Sequence, residues 1–178
     1  MNTVIEIERE QKWDLGCHAD ILDVLKYNCA KRRWPLDHIG IKQVYLPDGS
    51  RLRVYSDGAA YVERKTRLGA GVNREERAEI SLAQFFHMLN LAQDEVGEDE
   101  DLPTIVKDRY TFFDDENRKW ELDYFREFGY YLLEHEYDEA PETDIPSFLQ
   151  SFLLKEVTDD ERYTNARLAR AEERWPSN

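Results

Sequence analysis

The chain is short of several features that would place it in a broad class. It has only two cysteines, Cys17 and Cys29, too few for a disulfide framework, so reduced thiols and a cytoplasmic location are expected. No apolar run approaches the roughly 18 residues of a membrane span, and no membrane partner is expected. Met1 to Glu10 carries four charged side chains where a signal peptide has its apolar core, so export is not expected either. Positive charge is scarce: 24 Lys and Arg stand against 38 Asp and Glu, a net charge of −14. That balance disfavours long nucleic acid, whose binding rests on phosphate neutralisation by an exposed basic face. The four histidines (His18, His38, His87 and His135) have no zinc spacing. No Ser or Cys lies near a histidine motif, which leaves nucleophilic catalysis without support. The loop with Gly69, Gly71 and Asn73 is not followed by G-K-S/T and is no P-loop. Aromatic residues, by contrast, are plentiful. The 8 Phe, 10 Tyr and 4 Trp recur along the 178 residues and can supply a core, which argues against disorder.

Period-two alternation dominates what is there. It predicts strands over Val4–Lys12, Ile41–Leu46, Arg51–Tyr55, Tyr61–Arg67, Arg74–Ile80, Thr104–Phe112, Lys119–Phe125 and Tyr130–Tyr137. Pro47-Asp48-Gly49-Ser50 and Ser56-Asp57-Gly58 supply hairpin turns. Helical spacing predicts Asp20–Lys31, with Asp20 as N-cap, and Leu82–Ala92, with Ser81 as N-cap. A short helix over Ile145–Leu149 and a charged terminal helix over Asn165–Trp175 complete the reading. Gly97–Asp101 reads as a solvated acidic loop. The expected class is mainly β with α: eight antiparallel strands closed into a barrel, helices packed outside, and one domain over residues 1–178.

The strands carry charge at every second residue: Glu6/Glu8/Glu10/Lys12, Arg51/Arg53, Glu63/Lys65/Arg67, Glu75/Arg77/Glu79, Lys107/Arg109, Glu121/Asp123 and Glu134/Glu136. Periodicity alone allows these to be solvent faces or the lining of an interior. Two details favour a lining. The opposite faces carry Ile5, Ile7, Leu52, Val54, Val106, Leu122, Tyr124 and Leu133, which can pack under helices outside the sheet. The charges also sort by strand, carboxylates on the first, fifth and eighth and cations on the third, fourth and sixth. Clustered carboxylates suit Mg²⁺ or Mn²⁺, and facing Lys and Arg side chains suit phosphate oxygens. Together they make the composition of a phosphoryl-transfer site.

Glu8-Arg9-Glu10-Gln11-Lys12 resembles the ExExK first strand of the CYTH superfamily, the triphosphate tunnel metalloenzymes. Further segments resemble the family in order. They are Gln43-Val44-Tyr45-Leu46 (Q-G-Y-L), Arg51-Leu52-Arg53 (R-x-R), the Lys65 strand, Arg74–Ile80 before Ser81, and Val106–Tyr110 (K-x-R-Y). Trp120–Phe125 (L-D-x-F) and Leu133–Tyr137 (E-x-E) follow. Glu156–Asn165 closely resembles the terminal E-V-T-x-D-x-R-Y-x-N. This resemblance, over residues 4 to about 170, implies a tunnel that holds a triphosphate with one or two Mg²⁺ or Mn²⁺ ions. Carried over, it makes Glu8, Glu10, Glu134 and Glu136 the metal carboxylates, with Glu75 and Asp123 as secondary acidic positions. Lys12, Arg51, Arg53, Lys65, Lys107 and Arg109 hold the phosphates, and Glu8, Glu10, Lys12 and Lys65 form the catalytic set.

The chain departs from the family at several points. Arg77 stands where the family usually has a second glutamate, which leaves one or two metal ions open. Glu63 stands where a small hydroxyl residue is common, and Gln43-Val44 lacks the family glycine. Tyr55 shares the Arg51/Arg53 face, so that register is open by two residues. The segment from about 17 to 39 is longer than in compact bacterial members and reads as an inserted helical elaboration. The activity implied is a metal-dependent hydrolase of inorganic tripolyphosphate or a nucleoside triphosphate, of the small bacterial-type branch. The alternatives are a class IV-type adenylyl cyclase and a non-catalytic polyphosphate or nucleotide binder.

Overall fold

The computed structural model describes residues 3–97, 99–138 and 144–170. Its strands are β1 (Thr3–Gly16), β2 (Leu36–Tyr45), β3 (Arg51–Tyr55), β4 (Ala60–Gly69), β5 (Val72–Ile80), β6 (Thr104–Phe113), β7 (Lys119–Phe125), β8 (Tyr130–Glu136) and the two-residue β9 (Lys155–Glu156). The helices are α1 (Ile21–Arg32), α2 (Leu82–Val96) and α3 (Asn165–Leu168). Strand order is β5-β4-β3-β2-β6-β7-β8-β1, and β1 returns to β5, so eight antiparallel strands close into a barrel with β9 added beside β1. All eight predicted strands are present. Among the described residues no helix is long and apolar enough to cross a membrane.

β1 makes the closure. Its first half, to Arg9, pairs with β5, and its second half, from Glu10, pairs with β8. At the changeover the Glu10 N–H donates to the Gly71 carbonyl at 2.8 Å. Gly71 has φ +58°, and a Cβ there would stand 2.3 Å from the Glu10 carbonyl oxygen. Only glycine lets the β4–β5 turn approach this closely. The loop pattern of Gly69, Gly71 and Asn73 alone does not reveal this contact.

Two helices jacket the outer face. Ile21, Leu25 and Cys29 of α1 pack with Trp13, Phe112, Trp120, Leu122 and Leu133. Phe85 and Ala92 of α2 pack on Val44, Leu52, Ala60 and Ile80. Ser81 caps α2 as predicted, in a reciprocal box with Gln84. Asp20 flanks α1 but makes no side-chain cap bond. Of the apolar residues expected beneath helices, Leu52, Leu122 and Leu133 are fully buried and Val54 and Tyr124 are partly buried against the clusters. Ile5, Ile7 and Val106 are exposed instead, because neither helix cluster reaches them. The segment expected as helical from 17 to 39 already enters β2 at Leu36, in register with Phe112 of β6. Residues Ile145–Leu149 form no α-helix. Pro146 starts a turn held by Leu149 N–H to the Pro146 carbonyl, and a short 3-10 helix follows over Gln150–Phe152. The terminal helix occupies Asn165–Leu168, and residues 171–175 of its expected span lie outside the described residues.

On the inward face Tyr45, Ile105, Phe125 and Leu132 pack with Val157, Tyr163 and Leu168 of the C-terminal segment. That segment is pinned to β1. Val157 N–H donates to the Lys12 carbonyl, Lys12 N–H to Thr158 Oγ1 at 3.0 Å, and the Tyr163 hydroxyl to buried Asp14 at 2.8 Å. The terminal motif of the sequence is therefore what holds the strand bearing Glu8, Glu10 and Lys12.

Gly71→Ala adds a Cβ against backbone in a left-handed conformation, and is expected to lower unfolding stability by about 1–3 kcal/mol. A urea midpoint equal to wild type would mean that this turn does not fix β1 at Glu10.

Candidate functional site

Alternation inside a closed barrel sends every second side chain to the interior. Glu8, Glu10 and Lys12 of β1, Arg51 and Arg53 of β3, Lys65 of β4, Glu75 of β5, Arg109 of β6, and Glu134 and Glu136 of β8 all line one cavity of about 1010 Å³. Its wall holds ten Lys or Arg and eight Asp or Glu side chains, in a chain with far more acid than base. Two residues of the predicted set do not reach it. Lys107 and Asp123, 1% and 0% exposed, pair with each other behind Arg109. Burial, with Arg109 adding repulsion, pushes the Lys107 ammonium down to about 8. The cavity also takes in Tyr55, Arg67, Arg77, Lys119 and Glu121, which were left out of the predicted set. The alternation carries the signal for four of them: Tyr55 lies two residues past Arg53, Arg67 two past Lys65, Arg77 two past Glu75, and Glu121 two before Asp123.

The β1, β7 and β8 walls are rich in carboxylates. Lys12 pairs with Glu134 at 2.8 Å and Glu10 at 3.9 Å, and Lys65 with Glu10 at 3.3 Å and with Glu8. Arg109 donates to Asp123 and Glu134 at 2.7 Å each and contacts Glu121, while Lys119 joins Glu121 and Glu136. These pairs set the protonation of the wall. Burial acts against the Glu134 carboxylate, but Lys12, Lys107 and Arg109 outweigh it and hold the group well below the usual range. Lys12 and Lys65 similarly hold Glu10 below it. Glu8 is raised by burial and by Glu10 and Glu75 against the pull of Lys65, and Glu136 by burial and Glu121.

The β3–β5 wall is rich in arginine. Buried Glu63 accepts from Arg51 Nε at 2.7 Å and lies 3.2 Å from both Arg53 Nε and Arg77 Nε. Arg51 also donates to Glu75 at 2.9 Å. Arg53 and Arg77 both donate to the Tyr55 hydroxyl, at 3.0 and 3.1 Å. With its amide oxygen turned to the guanidinium, buried Gln43 accepts from Arg53 at 2.8 and 2.9 Å. Arg51 and Arg53 thus share the lining face with Tyr55, and the register of β3 pairs Arg51 with Glu63.

A hard divalent cation fits the donor chemistry of this cavity. Its carboxylates are hard oxygen ligands, and those of Glu8 and Glu10 stand together on one strand face against a shared Lys65. Among the described residues no three carboxylates converge as a ready metal cage, because Lys and Arg side chains stand between them.

A depressed carboxylate contributes stability above its unfolded pKa and loses it as pH falls through the folded value. Glu134→Gln is therefore expected to cost on the order of 3 kcal/mol at pH 7, since it leaves buried Lys12 and Arg109 short of a charge partner. Below pH 4.5, the ordinary value for this group, its deficit against wild type should shrink. Urea midpoints from pH 7 to 3 check this, and a deficit constant with pH would contradict it.

No family model and no curated protein matches the chain by sequence. Solved structures do match by shape. The inorganic triphosphatase NE1496 is 20% identical, with 93% of this chain and 99% of that chain covered at a TM-score of 0.56. A second NE1496 crystal structure, of a protein called hypothetical, is 22% identical with 92% and 98% covered at 0.54. A conserved hypothetical protein from Pyrococcus furiosus is 17% identical, with 82% and 85% covered at 0.51. These likenesses concern architecture. The chain has the closed eight-stranded barrel fold of the NE1496 inorganic triphosphatase.

Proposed function

We propose that the chain is a metal-dependent triphosphate hydrolase, acting on inorganic tripolyphosphate or a nucleoside triphosphate by water attack on the terminal phosphoryl group. The observation that carries this reading is the cavity itself, where an acidic chain gathers ten of its 24 cations beside a separate carboxylate wall. The fold shared with an inorganic triphosphatase supports it. Glu8, Glu10, Glu134 and Glu136 would hold Mg²⁺ or Mn²⁺, which when bound would supply charge neutralisation and lower the pKa of water.

The protein's part follows from the pairs already described. Arg51, Arg53 and Arg109 bind phosphate oxygens and orient the chain of phosphates, each guanidinium offering a planar fork. Lys12 and Lys65 transfer their contacts from Glu134, Glu10 and Glu8 to the substrate, which brings cations to the charge that develops at the reacting phosphorus. The same transfer frees those carboxylates for a divalent cation, so substrate and metal each favour the other's binding. Lys107 and Asp123 support Arg109 from behind.

Purified protein is expected to release orthophosphate from tripolyphosphate, ATP or GTP with Mg²⁺ or Mn²⁺, and to lose this activity on chelation. Undiminished turnover after chelation and gel filtration would overturn the metal dependence. Cyclic nucleotide as product would make the chain a cyclase, and tight binding without turnover a non-catalytic binder. Glu8→Gln and Glu136→Gln should abolish turnover with the fold intact. Arg53→Ala should cost about 1.5–3 kcal/mol of transition-state or substrate binding, roughly ten- to a hundred-fold in kcat/KM. Lys12→Ala and Glu10→Ala with wild-type turnover would remove β1 from the reaction site. Tm should rise more with tripolyphosphate and metal together than with either alone, and an indifferent Tm would speak against binding in the cavity.

A further inference from the structure

We propose that Arg77 completes a three-guanidinium oxyanion subsite with Arg51 and Arg53, fixed by the buried carboxylate of Glu63, that holds a phosphoryl group without any metal ion. The proposal rests on the triphosphate reading above and adds to it a specific wall and a new contact residue. The charges on this wall do not balance. Glu63, whose side chain is fully buried, meets three guanidinium groups, and even with Glu75 on Arg51 three cations face two carboxylates. An acidic chain that concentrates uncancelled cations on one cavity wall has built a place for an anion.

The guanidinium of Arg77 is held in place rather than free. It lies over the Tyr61 ring at 3.7 Å and donates to the Tyr55 hydroxyl at 3.1 Å, and that hydroxyl also receives Arg53. Tyr55 and Glu63 are positioning residues: they set the planes and spacing of guanidinium groups that would otherwise repel. Hydrogen-bond capacity remains open here. Arg77 Nε and Glu63 Oε1 are buried and in ion-pair contact, yet neither has an aligned hydrogen bond. Buried polar atoms are satisfied in the great majority of cases, so such a cluster in a cavity wall marks unmet capacity. A phosphoryl oxygen would accept from the exposed part of the Arg77 guanidinium, while its buried Nε stays against Glu63 Oε1 at 3.2 Å. The Arg77 side chain is about one-third exposed and lines the cavity, so a ligand can reach it.

The test is calorimetric binding of tripolyphosphate to the whole chain in excess chelator, which excludes any metal contribution. Wild type should bind, and Arg77→Gln should weaken binding about ten- to a hundred-fold, the loss expected for a charge-assisted contact. Glu63 keeps Arg51 and Arg53 in that variant, so the fold is retained. Arg74→Gln removes the same charge from the other face of β5, where Arg74 pairs with Glu76, and should bind within about two-fold of wild type because exposed charges are screened. Tyr55→Phe removes no charge and should weaken binding about three- to ten-fold by releasing two guanidinium groups. Wild-type affinity in Arg77→Gln, or an equal loss in Arg74→Gln, would overturn the subsite and leave the hydrolase reading standing. Absence of wild-type binding with orthophosphate release still present under metal would also overturn the subsite alone. Absence of both would overturn the triphosphate reading with it.

Discussion

Charge pairing inside a closed barrel is the constraint on which the rest of this structure depends. Moving an ionised carboxylate or guanidinium out of water costs several kcal/mol unless a counter-charge stands beside it. The interior meets that condition throughout. Glu8, Glu10, Glu63, Glu75, Glu121, Asp123, Glu134 and Glu136 each contact at least one Lys or Arg. Replacing one member strands its partner, which is why the pairs act as a set rather than as independent contacts.

The pairing is uneven across the barrel, and this gives the cavity a direction. On β1, β7 and β8 carboxylates crowd together, and burial with these neighbours raises Glu8 and Glu136 above the usual carboxylate range. On β3 to β5 guanidinium groups crowd together around Glu63, whose carboxylate is held below it by Arg51, Arg53 and Arg77. A ligand with a cationic end and a polyanionic end has a natural orientation between such walls. The apolar packing sits elsewhere, between barrel and helices and around the C-terminal segment, and it fixes the strands on which the charges pair.

Strand β1 links the two kinds of order. It pairs with three other strands, turns from β5 to β8 at Glu10, and is held there by Gly71 and by the C-terminal segment through Thr158 and Tyr163. Residues separated by more than 140 positions thus meet around Lys12 and Asp14. The resemblance in the sequence placed Glu156–Asn165 in a family motif without saying what it does. The reason is that hydroxyl-to-carboxylate and backbone bonds over such separations leave no local periodicity.

What the sequence determined by itself was the number and type of the strands, their alternating faces and the helix start at Ser81, because these follow from local side-chain period and capping. It also favoured charges facing inward, since their sorting by strand fits a lining better than a solvent face. What only the tertiary structure decided was which charges reach the cavity and which serve them from behind. Lys107 and Asp123 share the face of Arg109 and Glu121 along their strands, yet they lie beneath the lining while Lys119 and Arg77 reach it. Depth along a tunnel is set by how far each strand is staggered against the next and by what packs at its base. Those depend on closure, on the single glycine that permits it, and on contacts between distant parts of the chain.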